Sequence, residues 1–359
     1  MLLLNNHDVE RLLDMPAMID AIDSAYKELA EGHAVNLPEG GRMDVMAPSP
    51  GAELDRSYIW GAMASIVRSR GVFALRMKSD IMYTQEHDNG GVTIEKYCRE
   101  PGTYCGLVLL FSVATAEPLA IINDGVIQHA RVAATSAVAS RYMARPDSFE
   151  LGMLGSGGMA RSHAAAFAAV HPIKKIKVYS PTKEHREEYA REMSAKLEIE
   201  VEPVATEREA VVGADIVTGC SDSLLPVIKD EWVVPGMHLT CVLPTEIERS
   251  VEERCDVIVR HVNGGAYRVR AANDSELTDR QRQDPSAGLM SRTDLPILKD
   301  LVSNGAGART SPEQITYYAN TPGSAIQFAA AGSILYEAAR EQGVGKELPT
   351  EWFLQDIRD

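Results

Sequence analysis

The sequence predicts an α/β chain built on a doubly wound parallel sheet, and two observations predict it. A short apolar strand, Phe149 to Leu154, runs through Gly155-Ser156-Gly157-Gly158-Met159-Ala160 into an alanine-rich helix that ends near Val170. Five further strand candidates follow, mostly alternating with helices, as in parallel sheets covered on both faces.

The turn has Gly-x-Gly-x-x-Ala spacing between a strand and a helix, the context that gives the motif meaning. Gly155 permits the tight turn, Gly157 lets backbone N–H groups approach a pyrophosphate, and Ala160 lets the helix pack close on the strand. The helix N-terminus offers free N–H groups and a positive dipole end. The stretch therefore points to a nicotinamide dinucleotide site, with Gly155, Ser156, Gly157, Gly158, Met159 and Ala160 as contacts.

The 359 residues suffice for roughly two domains. A net charge of −15 argues against nucleic acid or an anionic membrane as partner, though a local basic pocket stays open. Cys98, Cys105, Cys220, Cys241 and Cys255 are scattered without metal-ligand spacing, so no metal is expected and the thiols read as reduced. The opening MLLLNNHDVERLLDM lacks a basic leader, and no apolar run has transmembrane length. A cytoplasmic, soluble protein is the expectation.

In chain order, Asn6 caps a helix from near Asp8, and Pro16 opens a second, with Ile19, Ile22, Ala25, Tyr26 and Leu29 on one face. Residues 36–56 read as loop and edge strand, with Arg42 inside. Tyr58 to Ile66 and Gly71 to Met82 read as strands. Arg76 and Lys78, two apart on a strand, share a face and suit a carboxylate clamp, a solvated face being the other reading. Residues 84–104 read as a mobile loop, Gly106 to Ser112 and Pro118 to Ile122 as strands.

A helix from about His129 to Ala144 is rich in small residues and packs closely. Arg131 in its first turn opposes the helix dipole, which suggests that it faces an anion, a pairing with a nearby carboxylate being the other reading. Beyond the glycine turn, strands are expected at Lys175–Tyr179, Ile199–Pro203, Ala214–Gly219, Met237–Leu243 and Asp256–His261. The tip of the second carries Ser180, Thr182 and Lys183 with Arg186 a turn on, and no acid. Hydroxyls and cations there suit the 2′-phosphate of NADP, while Glu184 keeps NAD open. Residues 264–293 read as an insertion or lid, and 325–341 as a long apolar helix.

Together VLLF (108–111), Asp124-Gly125, ARVAATSAVASRYMAR (130–145), LGMLGSGGMARSH (151–163) and GADIV (213–217) resemble the ornithine cyclodeaminase/mu-crystallin family, over about residues 8–340. The resemblance implies a Rossmann-type domain (129–318) inserted into a second α+β domain (1–128 plus 319–359) that binds substrate and makes a homodimer. It also implies that Arg131 is the family's carboxylate-binding arginine, although Val132 replaces the usual threonine. Arg76 falls where the family has a lysine, with Lys78 on the same face, and Arg42 on a further substrate arginine. The catalytic aspartate of ornithine cyclodeaminases is missing: Val242-Leu243-Pro244-Thr245-Glu246 stands there, with Thr245 as a further cofactor contact.

Three functions follow. The first is an NAD(P)H-dependent reductase of an imino or oxo carboxylate, with Lys78 or Glu246 as proton donor. The second is a cyclodeaminase-type ammonia lyase on a diamino acid, with NAD as internal redox carrier and Glu246 replacing the aspartate. The third is an NADP-dependent binding protein. The substrate is a small carboxylated molecule, its pocket assembled from 36–56, 84–104 and 264–293.

Overall fold

The computed structural model describes residues 1–39, 41–49, 56–88, 90–264, 267–271 and 292–357. Two sheets organise it. The chain opens with β1 (Leu2–Leu4), α1 (Asn6–Leu12) and α2 (Met15–Ala30). The cap of α1 is Asn5 rather than Asn6: its side chain accepts from the Asp8 N–H at 3.0 Å while the Asp8 carboxylate accepts from the Asn5 N–H at 3.1 Å. Asn6 instead accepts from the Val126 N–H at 3.2 Å.

Then come β2 (Ala34–Leu37), β3 (Met43–Pro48), β4 (Ser57–Val67), β5 (Val72–Glu86), β6 (Val92–Cys98), β7 (Glu100–Pro101), β8 (Gly106–Ser112) and β9 (Pro118–Asn123). The loop expected at 84–104 is largely strand. β5 runs on to Glu86, and β6 pairs back on it with Ile81 opposite Tyr97 and Glu86 opposite Val92. Both faces of β6 are only partly buried, so no clean alternation marks it in the sequence.

α3 (Gly125–Met143) begins four residues before the expected His129. Arg131 therefore lies in its second turn, and the dipole argument for an anion lapses. Ala130, Ala133, Ala134, Ala137 and Ser140 are all buried, because α3 is packed on several sides through its middle turns.

β10 (Glu150–Leu154), α4 (Gly158–Val170), β11 (Lys175–Tyr179), α5 (Lys183–Leu197), β12 (Glu200–Pro203), α6 (Glu207–Val211), β13 (Ile216–Gly219) and β14 (His238–Cys241) follow. The rest is α7 (Arg249–Arg254), β15 (Val257–Arg260), β16 (Tyr267–Arg270), α8 (Leu298–Asn304), β17 (Thr316–Ala319), α9 (Ile326–Gln342) and β18 (Lys346–Glu347). The second sheet runs β12-β11-β10-β13-β14-β17-β15, every pairing parallel, the Rossmann-type doubly wound sheet expected.

The first sheet runs β16-β3-β4-β5-β8-β9-β1-β18, with β2 on the edge of β4 and β6 carrying on from β5. Its inner face meets α2, α3 and α9 through Val67, Val72, Ala74, Val108 and Leu110. Part of the expected insertion at 264–293 belongs here: β16 pairs parallel with β3, Arg268 opposite Asp44. Residues 265–266 and 272–291 of that segment, and 50–55 of the expected 36–56 loop, lie outside the described residues. Among the described residues, no helix is long and apolar enough to cross a membrane.

Candidate active site

The glycine turn behaves as its spacing requires. Gly155 has φ +119°, and a Cβ there would stand 2.4 Å from the Cys220 carbonyl oxygen. Gly157 caps α4 without a side-chain hydrogen bond, and a Cβ there would meet nothing within 4 Å. The first-turn N–H groups of α4 thus face an open cradle. This is the geometry a pyrophosphate needs, so the residues present fit a dinucleotide. A Cβ on Gly158 would lie 2.6 Å from the His129 ring, so that glycine lets α3 and α4 meet. Ala160 is fully buried and Met159 partly so.

At the tip of β11 the Ser156 hydroxyl donates to Ser180 Oγ at 3.0 Å, and Ser180 donates to the Thr182 carbonyl at 3.3 Å. The Arg186 guanidinium donates to the Ser180 carbonyl at 2.9 Å and lies 5.8 Å over the Tyr179 ring. Lys183 is exposed, 3.6 Å from Glu187, and Thr182 caps α5 without a side-chain bond. Of the two cations at this tip, only Arg186 is held in place by the backbone around it.

Along the same edge of the sheet the ends of β13, β14 and β17 bring Cys220, Val242 and Asn320 together. Asn320 donates to the Val132 carbonyl at 2.9 Å and to Ser136 Oγ at 2.8 Å, yet among the described residues its buried Oδ1 has no partner. A buried, unpaired carbonyl oxygen here is a ready acceptor for a bound group.

Glu246 is not the open acid expected. It is fully buried, and Ser221 N–H (2.6 Å), Ser221 Oγ (2.7 Å), Val242 N–H (3.0 Å) and Leu243 N–H (2.9 Å) all donate to it. Burial pushes its pKa up to about 7, with the hydrogen bonds pulling the other way. Its four bonds tie the loops after β13 and β14 together. Thr245 donates to the Ser223 carbonyl at 2.8 Å and belongs to the same tie.

The substrate side is built on β5. Val72, Ala74, Arg76, Lys78 and Asp80 alternate onto one face and all are buried, so the face changes from core to charge between Ala74 and Arg76. Arg76 and Lys78 do not share a protein carboxylate: Arg76 Nε pairs with Asp124 at 2.6 Å and Lys78 Nζ with Asp80 at 3.0 Å. Arg42 pairs with Asp44 at 2.7 Å, and Arg268 lies 3.8 Å from the same carboxylate. Asp124, at the N-terminus of α3, makes no side-chain cap bond because its carboxylate serves Arg76.

Arg131 differs. It is 5% exposed, its Nη1 donates to Gln327 Oε1 at 2.6 Å, and among the described residues its Nε has no partner. Among the described residues it has no carboxylate partner. Its guanidinium lies 5.0 Å over the Phe328 ring, with that of Arg76 5.2 Å from the same ring. Burial and then Arg76 lower its pKa to about 9, so it stays charged at neutral pH while bearing an unmet cost. Beneath it Gln327 also contacts His261, which shares a short hydrogen bond with Tyr26. Burial and then Arg131 hold His261 neutral, down to about 3.

Lys78 is lowered to about 8, by burial first, then by Arg42 and Lys96. Lys96 was missed in the sequence because it lies in the segment read as loop. It stands opposite Met82 and so on the same face as Lys78. Its side chain is exposed. Asp44 and Asp80 were also missed, although each lies two residues past its cation, where a strand returns to the same face.

Fold and site together define a class: a Rossmann-type protein whose strand ends look onto a buried cationic cleft supplied by a second sheet. The chain belongs to the ornithine cyclodeaminase/mu-crystallin family, whose model matches residues 95–343. A delta(1)-pyrroline-2-carboxylate reductase of Bacillus cereus is 28% identical over 247 residues, 68% of this chain and 74% of that one. The ketimine reductase mu-crystallin of Rattus norvegicus is 25% identical over 233 residues, 65% of this chain and 67% of that one. The solved structure of Thermococcus litoralis delta(1)-pyrroline-2-carboxylate reductase, in complex with NADH and L-proline, superposes with a TM-score of 0.75 at 25% identity. It covers 97% of this chain and 100% of that chain.

Proposed function

We propose that the protein is an NAD(P)H-dependent reductase of a 2-imino or 2-oxo carboxylate. The observation that carries the reading is Arg131, a buried cation without a carboxylate partner among the described residues, beside a cradle that fits a dinucleotide. The three reductases similar to this chain, one bound to NADH and L-proline, agree with it.

In this reading Arg131 binds the substrate carboxylate. Arg76, held by Asp124, adds positive potential beside it, and Phe328 fixes both guanidinium planes. The reduced nicotinamide, when bound, supplies the hydride. Lys78, lowered to about 8 and aligned by Asp80, gives a proton to the substrate nitrogen or oxygen from its ammonium form. Asn320 Oδ1, buried and unpaired among the described residues, would serve as an acceptor toward the bound dinucleotide. Arg186, Lys183 and the acid-free tip of β11 favour NADP over NAD.

The lyase reading loses its acid, because Glu246 is enclosed by four donors. Residues 1–128 plus 319–359 hold substrate, residues 129–318 hold the dinucleotide, and two copies pair through the outer face of the first sheet. There Phe73, Leu75 and Met77 of β5 stand opposite Phe111, Leu109 and Leu107 of β8, only partly covered.

The test is spectroscopic. Absorbance of NADPH and NADH is followed with 2-oxo acids plus ammonia or methylamine, and with preformed cyclic imines. Loss of reduced nicotinamide that requires a carboxylated imine supports the reading. Ammonia release from diamino acids without net cofactor change overturns it, as does silence throughout.

A further inference from the structure

The cations of the cleft are held in two ways. Arg42, Arg76 and Lys78 each meet a carboxylate, those of Asp44, Asp124 and Asp80. Arg131 meets a carboxamide. Gln327, the second residue of α9, is fully buried. Its Oε1 accepts from Arg131 Nη1 at 2.6 Å and from the Ser324 N–H at 3.3 Å.

The amide has one orientation. Arginine can only donate, so the atom that faces it is the oxygen. At the other end Nε2 donates to Thr135 Oγ1 in a short bond and to His261 Nε2 at 3.3 Å. Thr135 gives its own proton to the Arg131 carbonyl at 2.7 Å, which leaves its oxygen to accept. His261 is held neutral, and the nitrogen facing the amide accepts because an amide nitrogen can only donate. Among the described residues, every hydrogen-bond partner of Gln327 other than Arg131 is therefore uncharged.

The guanidinium is set from its other sides too. A Cβ on Gly323 would stand 2.7 Å from Arg131 Nη1 and 3.1 Å from Nη2, so that glycine lets the backbone before α9 come against the charge. Asn36 of β2 accepts from Ser324 Oγ at 2.9 Å and from the Ile326 N–H at 3.1 Å, which seats the start of α9. Neutral groups thus aim Arg131, whereas a carboxylate at 327 would hold it as firmly and cancel its charge.

We infer that Gln327 is a positioning residue for the substrate carboxylate: it aims Arg131 without neutralising it, and so sets the preference for a carboxylated substrate. This rests on the reading of Arg131 as the carboxylate ligand and names the residue that keeps it available.

The experiment compares wild type, Arg131→Met, Gln327→Glu and Gln327→Met with NADPH and two rings, delta(1)-pyrroline-2-carboxylate and delta(1)-pyrroline, which lacks the carboxylate. In Gln327→Glu the KM for the carboxylated ring is expected to rise roughly 100-fold with kcat within about 3-fold, as loss of an available buried charge gives. Gln327→Met keeps the charge and loses the aim, so a KM rise of roughly 10-fold is expected. Slow turnover of the plain ring stays within about 3-fold of wild type in both variants, which lost packing would not allow. An unchanged KM for the carboxylated ring in Gln327→Glu, or equal losses on both rings, overturns the inference. The reading of Arg131 then stands if Arg131→Met still loses the carboxylated ring, and falls if it does not. If wild type reduces neither ring, the reductase reading falls, and calorimetry of 2-oxobutyrate on the NADP-loaded protein decides the inference. Binding that Arg131→Met and Gln327→Glu both abolish supports it; binding that survives Gln327→Glu, or is absent from wild type, overturns it.

Discussion

The glycine turn and the inner face of β5 both present positive potential to an anion, and they do so by opposite means. The turn uses backbone alone: an uncapped helix end, and a Gly157 that leaves the space above it open. The β5 face uses long side chains: Arg42, Arg76 and Lys78 are each held by a carboxylate, and Arg131 of α3 beside them has none among the described residues. The difference teaches where selectivity resides. A backbone cradle accepts any pyrophosphate, whereas a pattern of paired and unpaired cations recognises where a substrate's charges lie.

Removing the unpaired cation should have the largest effect. Arg131→Met is expected to lower kcat/KM for a carboxylated imine by roughly a thousandfold, the cost of losing one partner of a buried charge contact. Cofactor affinity, measured by quenching of protein fluorescence with NADPH, should stay within about threefold of wild type. Equal losses of both would merge the two regions and break the comparison.

On the backbone side, Gly155→Ala places a Cβ against the Cys220 carbonyl at a left-handed φ. It should weaken cofactor binding and cost about 1–3 kcal/mol of stability, read from the urea midpoint. Glu246→Gln sharpens the same side. Its amide nitrogen must face donors where the carboxylate accepted, so a loss of about 2–4 kcal/mol is expected in the same melt. The pH profile of kcat should keep its shape. A changed profile with unchanged stability would restore Glu246 as the proton donor.

Lys78 gives the pH dependence. Its ammonium is the donating form, and its pKa is lowered to about 8. The rate should therefore fall as pH rises through about 8, and Lys78→Met should be slow and lack that limb. The smallest effect is expected at Arg186, where Arg186→Ala should shift the NADPH to NADH preference by roughly tenfold, about one charge-assisted contact.

The two regions also differed in how legible they were. The turn was readable because the requirement is local: a left-handed φ and a close approach demand glycine within a few residues. The parallel sheet followed because buried strands are short apolar runs bounded by turns. The cleft was not readable, since its pairs join distant residues such as Arg76 with Asp124, and Arg131 with Gln327. Arg131 itself was found, but for a wrong local reason, because α3 starts earlier than its small residues suggested. Lys96 was lost with β6, whose half-buried faces carry no period. Glu246 looked chemical because an exposed and an enclosed carboxylate are the same letter.

The account's central claim is that a carboxylate on Arg131 positions an imine for reduction by a bound nicotinamide. Its most direct test is steady-state oxidation of NADPH by a carboxylated cyclic imine and by the same ring without its carboxylate, in wild type and in Arg131→Met. The account predicts rapid oxidation only for wild type with the carboxylated ring, and equally slow rates in the other three cases. Oxidation that ignores the carboxylate, or that survives the loss of Arg131, would contradict it.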